Sequence, residues 1–206
     1  GGKLIDGAAE AIERMRAEAK VLFITNNTSV SREDYAVKLT GLGIRTDVED
    51  IYTAGNATID YLKEIGVTDR VFVLGTPRLT EEFARNGIGL CADDPVMVVI
   101  GFDTGLRYDN LSKTCAFIRN GVTFIATHPD FNCPVRDGYI PDVGSFLALI
   151  EASTGRRPQE ICGKPNAAMA RGVLRRTGCA PHKAAMIGDR LMTDMRFASN
   201  NDLDGI

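Results

Sequence analysis

Long apolar runs are missing from this sequence. None approaches the roughly 18–20 residues that a membrane-spanning helix requires, so no membrane partner is expected. The first residues likewise carry neither the basic nor the apolar stretch of a secretory leader. An excess of one charge is missing too: 24 lysines and arginines stand against 27 aspartates and glutamates, a net charge of −3 that gives no electrostatic ground for a nucleic-acid partner. Histidine is scarce, and His128 and His182 sit in contexts too far apart to suggest a metal pair. The five cysteines, Cys91, Cys115, Cys133, Cys162 and Cys179, include no C-x-x-C pair. Their odd number and spacing suggest reduced thiols in a cytoplasmic protein. Repeats, low-complexity tracts and linkers are absent as well.

What is present is an alternation of helical and strand patterns over 206 residues, a length that buries one good core or two modest ones. Asp6 is placed to cap a helix with an apolar stripe of Ala8, Ile12, Met15 and Ala19. Val21-Leu22-Phe23-Ile24 follows as a continuous apolar strand, the kind buried on both faces of a parallel sheet. Ser31 opens a second helix with Asp34 three places on, and Gly41-Leu42-Gly43 closes it. Strands are then expected at 51–53, 71–74, 96–100 and 123–127. Between them run helices marked by Tyr61 and Leu62, by Leu79, and by Leu111, Cys115 and Ile118. Residues 128–142, with three prolines and Gly138, read as a long polar loop. A helix from Gly144-Ser145, a strand at 159–162, a helix through Met169 and Val173 and a buried strand at 184–187 complete the series. Strands alternating with helices throughout predict an α/β fold with a largely parallel sheet. A change of character near residue 69 predicts an inserted segment, 69–157, between two halves of one core, 1–68 and 158–206.

Three of the expected strands run directly into residues able to do chemistry: Thr25-Asn26-Asn27, Gly163-Lys164-Pro165 and Gly188-Asp189. If these strands are parallel neighbours, their tips converge at one sheet edge, where ligands of open α/β sheets bind. A hydroxyl, an amide and backbone N–H groups can hold phosphate oxygens, and a lysine adds positive charge. A carboxylate at a strand tip is a hard oxygen ligand suited to Mg²⁺. Phosphoryl transfer needs such positioning and charge neutralisation. Each tip alone also reads as an ordinary turn or helix cap; their joint occurrence in this order is the specific signal.

In that order, Phe23-Ile24-Thr25-Asn26-Asn27, Gly163-Lys164-Pro165 and Ile187-Gly188-Asp189-Arg190-Leu191-Met192-Thr193-Asp194 resemble the haloacid dehalogenase superfamily of phosphatases, in its NagD-like and nitrophenylphosphatase-like branch. Gly7-Ala8-Ala9, Thr127-His128-Pro129-Asp130 and Gly144-Ser145 add to the likeness, which runs over essentially the whole chain. The resemblance implies a Rossmann-like parallel-sheet core with a large α/β cap inserted between the Thr-Asn and Lys motifs. It implies a Mg²⁺-dependent phosphatase acting on a small phosphorylated metabolite, and possible homodimers through the cap. Thr25 and Asn26 would bind phosphate, Asn27 would help orient nucleophile or substrate, and Lys164 would neutralise both. Asp189 would ligate Mg²⁺, with Asp194 fixing that end of the site. Thr25, Lys164 and Asp194 are the expected catalytic groups. Arg190 to Thr193 would line the substrate approach, and His128, Asp130 and the loop after them would sense the leaving group.

In this family an Asp-x-Asp-Gly motif at the tip of the first strand supplies the attacking carboxylate, which forms an aspartyl-phosphate, and the general acid and base. Asp6-Gly7 is not that motif, because no apolar strand precedes it. The one Asp-x-Asp is Asp202-Leu203-Asp204, after residues that read as a helix end and a turn. An ordinary turn leading to a strand at Ile206 is expected there in preference to a circularly permuted nucleophile. The stretch is therefore expected to be a fragment without its nucleophile and nearly inactive by itself. A non-catalytic phosphate-ligand binding protein is the alternative from another class; a phosphotransferase or mutase on the same core is a third reading.

Overall fold

In the computed structural model, which describes residues 3–206, helices and short parallel strands alternate along the chain. Helix α1 (Ala8–Glu18) leads to strand β1 (Phe23–Thr25), α2 (Arg32–Gly41) and β2 (Ile51–Thr53), with β1 and β2 paired in parallel. The expected capping box starts α2: Ser31 Oγ accepts the Asp34 N–H, and the Asp34 carboxylate accepts the Ser31 N–H. Thr53 and Asn56 repeat the device at α3 (Ala54–Glu64).

Three more parallel strands follow, β3 (Val71–Leu74), β4 (Met97–Ile100) and β5 (Thr123–Ala126), separated by α4 (Pro77–Arg85) and α5 (Tyr108–Arg119). Their side chains alternate between two apolar clusters, as strand geometry requires. Val71, Met97, Val99 and Ile125 share one cluster with Leu62 of α3, Phe83 of α4, and Met169 of the later helix α7 (Ala167–Thr177). Leu74, Val98, Ile100 and Phe124 share the other with Ile118 of α5, and with Phe146 and Ile150 of α6 (Val143–Thr154). These strands therefore form the middle layer of an α/β/α stack. The backbone of residues 159–163 continues this sheet beside β5, with Ala126 N–H donating to Glu160 and Cys162 N–H to Ala126. Strand β8 (Ala185–Met186) pairs in parallel with the last strand, β9 (Asp204–Gly205), across α8 (Arg196–Asn200).

The structure corrects several local expectations. Gly7, in the left-handed region at φ 78°, takes the N-cap position of α1, so Asp6 is not its cap. Strand β1 begins two residues later than expected and is half-buried rather than covered on both faces. Residues 128–142 are not all loop: β6 (Asn132–Val135) and β7 (Gly138–Pro141) form an antiparallel hairpin. Prolines 134 and 141 are tolerated because both strands are sheet edges, which need not donate every N–H. Strand β8 is not fully buried, since Ile187 just beyond it is 54% exposed. At the C-terminus, Asp202 sits at φ 57° in a turn and the strand starts at Asp204. Among the described residues no helix is long and apolar enough to cross a membrane.

Two outcomes test this arrangement. Cys115 and Cys162 are buried, burial pushing the Cys162 thiol up to about 12, while Cys91, Cys133 and Cys179 are half-buried. An aromatic disulfide reagent should therefore reach at most those three thiols in the native protein and all five in denaturant; rapid native reaction of Cys162 would contradict the packing. Phe83, fully buried between α4 and the sheet, should cost about 3–5 kcal/mol on truncation to alanine, measured by urea unfolding.

Candidate active site

The three polar strand tips do meet, but not as neighbours in one sheet. Thr25 ends β1, the 159–163 strand belongs beside β5, and Asp189 follows β8, three separately hydrogen-bonded units. Side chains join them. The Asn26 carboxamide, 7% exposed, acts as a strand partner for Lys164: its Oδ1 accepts the Lys164 N–H at 2.8 Å, and its Nδ2 donates to the Lys164 carbonyl at 3.0 Å. The second amide proton goes to Asp130 Oδ2 at 3.1 Å. Both protons of Asn26 are thus committed to holding the site together. Glycine is required beside this clamp, because a Cβ on Gly163 would lie 2.7 Å from both Asn26 Oδ1 and the Thr127 carbonyl.

The clamp fixes the Lys164 backbone, and Asp194 fixes its ammonium. Lys164 Nζ donates to Asp194 Oδ1 at 2.7 Å, with side chains only 11% and 7% exposed. Asp194 Oδ2 accepts the Arg190 N–H at 3.3 Å. Gly188 again permits the approach, since a Cβ there would lie 2.5 Å from the Asp194 side chain. Asp189, by contrast, is exposed and makes no hydrogen bond or ion pair among the described residues. It is next in sequence to Arg190, which lines the cleft, but is not itself among the lining residues.

Asn27 shapes the turn after β1: its Oδ1 accepts the Ser29 N–H and hydroxyl, and its N–H donates to Thr25 Oγ1 at 3.2 Å. Its Nδ2 donates to the Cys133 thiol of the hairpin at 3.7 Å. Tyr35 of α2 lines the same space; burial raises its hydroxyl pKa above the ordinary value, with nearby Thr25 acting in the opposite direction. Burial and then the Asp142 charge push the Cys133 thiol up as well. These groups surround a cleft of about 260 Å³ lined by Thr25, Asn26, Asn27, Asp130, Lys164, Arg190 and Thr193.

His128 is not among the lining residues, against the expectation that it meets the leaving group. It is fully buried. Its Nε2 lies 2.9 Å from Asp142 Oδ1 and its Nδ1 2.9 Å from Thr127 Oγ1. With Nε2–H donating to the carboxylate, Nδ1 accepts from the threonine and the ring is satisfied. Asp142 also accepts the Val143 N–H at the start of α6. The ligand atoms of His128, Asp130 and Asp142 lie within 4.8 Å of one another, but these bonds leave the imidazole no lone pair for an ion. His128 therefore holds the segment that carries Asp130. Asp142 lines the cleft from the end of the 131–142 segment, while sequence reasoning missed Tyr35 as a cleft residue. Tyr35 carried no signal beyond its helical stripe.

The buried ion pair predicts a distinctive pattern of stability. Asp194→Ala should cost about 3–5 kcal/mol by leaving the Lys164 ammonium buried without its counter-charge. Adding Lys164→Met should recover part of that loss in urea unfolding. A double variant no better than the single would contradict the pairing.

Comparison with known proteins places these features in a family. Residues 1–89 match the haloacid dehalogenase-like hydrolase family, and residues 161–206 match a second family described as HAD-hydrolase-like. An acid sugar phosphatase of Staphylococcus aureus is 33% identical over 204 residues, 98% of this chain and 78% of that protein. The crystal structure of a 4-nitrophenylphosphatase from Thermotoga maritima superimposes with a TM-score of 0.96 at 37% identity, covering 100% of this chain and 79% of that one. A glycerol phosphate phosphatase from Mycobacterium tuberculosis, solved in complex with magnesium, gives 0.91 at 29% identity, over 100% of this chain and 63% of that one. The chain belongs to the haloacid dehalogenase-like hydrolases, in their NagD-like and nitrophenylphosphatase-like branch, and its α/β fold with parallel strands is theirs.

Proposed function

We propose that the cleft holds the phosphoryl group of a small phosphorylated metabolite, and that the chain is a phosphomonoester hydrolase working with Mg²⁺ through an aspartyl-phosphate. The observation that carries this is the Lys164 ammonium, fixed by Asp194 in a cleft that Thr25 also lines. In this reading the Thr25 hydroxyl donates to a phosphate oxygen while Lys164 offsets the charge developed in transfer. Asn26 and Asn27 set the shape of the phosphate site, and Asp194 keeps the lysine aimed at it. Arg190, Asp130 and the β6–β7 hairpin border the remainder of the substrate, within a segment, 69–157, that we assign as the cap. The small cleft suits a small substrate, and the relatives are named for sugar, nitrophenyl and glycerol phosphates. We place the working molecule in the cytoplasm, with the cap available for homodimer contact.

A divalent cation fits the charges present. Asp194 already offsets Lys164, and Asp130 and Asp142 leave the cleft no surplus of positive charge for a phosphate dianion. Asp189 has the free carboxylate to hold such an ion. Mg²⁺ typically takes one or two carboxylates plus water and phosphate oxygens. When bound, the ion would supply Lewis-acid neutralisation of the phosphoryl oxygens.

None of Asp130, Asp142 and Asp194 is free to attack phosphorus, because each is engaged by Asn26, His128 or Lys164. Asp202 and Asp204 are exposed in a turn and strand, outside the residues lining the cleft. The nucleophile is thus assigned outside these residues. The 206-residue chain is expected to bind inorganic phosphate in the presence of Mg²⁺ while hydrolysing 4-nitrophenyl phosphate orders of magnitude more slowly than its relatives. Asp189→Asn should remove the Mg²⁺ dependence of phosphate binding in calorimetry. Phosphate binding that is Mg²⁺-independent in the unaltered chain would contradict the metal assignment.

A further inference from the structure

Thr193 carries a buried hydroxyl with no partner. The residue is 9% exposed, and its Oγ1 has no hydrogen-bond partner among the described residues. A hydroxyl removed from water without a replacement bond is unfavourable, so such groups are rare. Thr193 does not sit in either apolar cluster. It lines the cleft beside Thr25, Lys164 and Arg190.

The local backbone explains its position. Residues Leu191–Met195 form a π-helical turn, in which the Arg190 carbonyl accepts from the N–H groups of Thr193, Asp194 and Met195 at 3.3, 2.7 and 3.3 Å. The widened turn buries two consecutive side chains, Thr193 and Asp194, while Leu191 and Met192 stay 76% and 71% exposed. Single π turns of this kind concentrate at functional sites. Asp194 uses its inward position to bind Lys164. Thr193 is turned inward by the same device, and its hydroxyl has no hydrogen-bond partner among the described residues.

We propose that Thr193 Oγ1 is a ligand-binding hydroxyl that donates a hydrogen bond to an oxygen of the phosphoryl group at Lys164 and Thr25. The inference rests on the phosphate reading of the cleft given above. A neutral donor suits the position, because a bond to an anionic oxygen is strong and requires no additional buried charge. Without ligand the hydroxyl stabilises nothing, so its value to the protein lies in the bound state.

The test separates binding from stability, using inorganic phosphate with Mg²⁺ in calorimetry and thermal unfolding of the ligand-free chain. Thr193→Val keeps the β-branched shape and should lose about tenfold to a hundredfold in phosphate affinity, with Thr193→Ser staying within about threefold of the parent. Ligand-free Thr193→Val should melt at the same temperature as the parent or higher, and should bind Mg²⁺ alone equally well. A lower melting temperature for Thr193→Val would show that the hydroxyl makes a structural bond, and would overturn the proposal. So would a weakening confined to Mg²⁺, which would assign the hydroxyl to the ion. Undiminished phosphate binding by Thr193→Val would remove the threonine's role and leave the phosphate cleft standing. No phosphate binding by the parent chain would remove both.

Discussion

Lys164 is gripped twice, and the geometry of the cleft depends on that grip. Its backbone is paired with the Asn26 carboxamide and its ammonium with the Asp194 carboxylate. An ammonium this buried is stable only with a counter-charge and good geometry, so the lysine requires Asp194 as much as Asp194 requires it. The two contacts also do structural work that a sheet would normally do. The strand tips come from three separately paired units, and among the described residues no backbone ladder ties β1 to the strand before Lys164 or to β8. Side-chain hydrogen bonds supply the alignment instead. Gly163 and Gly188 allow it by omitting the Cβ atoms that would collide with Asn26 and Asp194.

The carboxylates near the cleft illustrate how partners divide one residue type among several tasks. Asp194 neutralises a lysine, Asp130 receives an amide proton from Asn26, and Asp142 is shared between a buried histidine and the first turn of α6. Only Asp189, at the exposed end of its strand, keeps its oxygens unengaged among these four. Low local dielectric makes each of the buried bonds costly to break, so these assignments resist exchange. The hairpin adds the other wall. Cys133 reaches the turn after β1 through Asn27, linking the β6–β7 segment to that turn.

The fold was largely legible because its strongest signals are local. The capping box at Ser31 and Asp34, the four-residue apolar run of β4 and the helical stripe of Leu111, Cys115 and Ile118 each report backbone conformation from neighbouring residues alone. The misreadings have equally physical causes. Prolines at 134 and 141 argued against strands, yet an isolated two-stranded hairpin has edges on both sides and accommodates them. Val21 and Leu22 look like strand residues, but β1 starts only at Phe23, where pairing with β2 begins. His128 looked like a cleft residue because it lies next to Pro129-Asp130. Its burial depends on Asp142, fourteen positions away in sequence.

By itself, then, the sequence determined the alternation of helices and strands, the capped start of α2, and the chemistry available at Thr25, Lys164, Asp189 and Asp194. These follow from side-chain type and short-range spacing, which do not wait on the rest of the chain. Only the tertiary structure decided which polar groups remain free. It consumed the amide protons of Asn26 in a clamp and buried His128 against Asp142. It also buried the hydroxyl of Thr193, a residue lining the cleft, without a partner among the described residues. Hydrogen-bond partners are chosen between residues far apart in sequence, so a motif states which groups are present, and packing decides which of them are still available to a ligand.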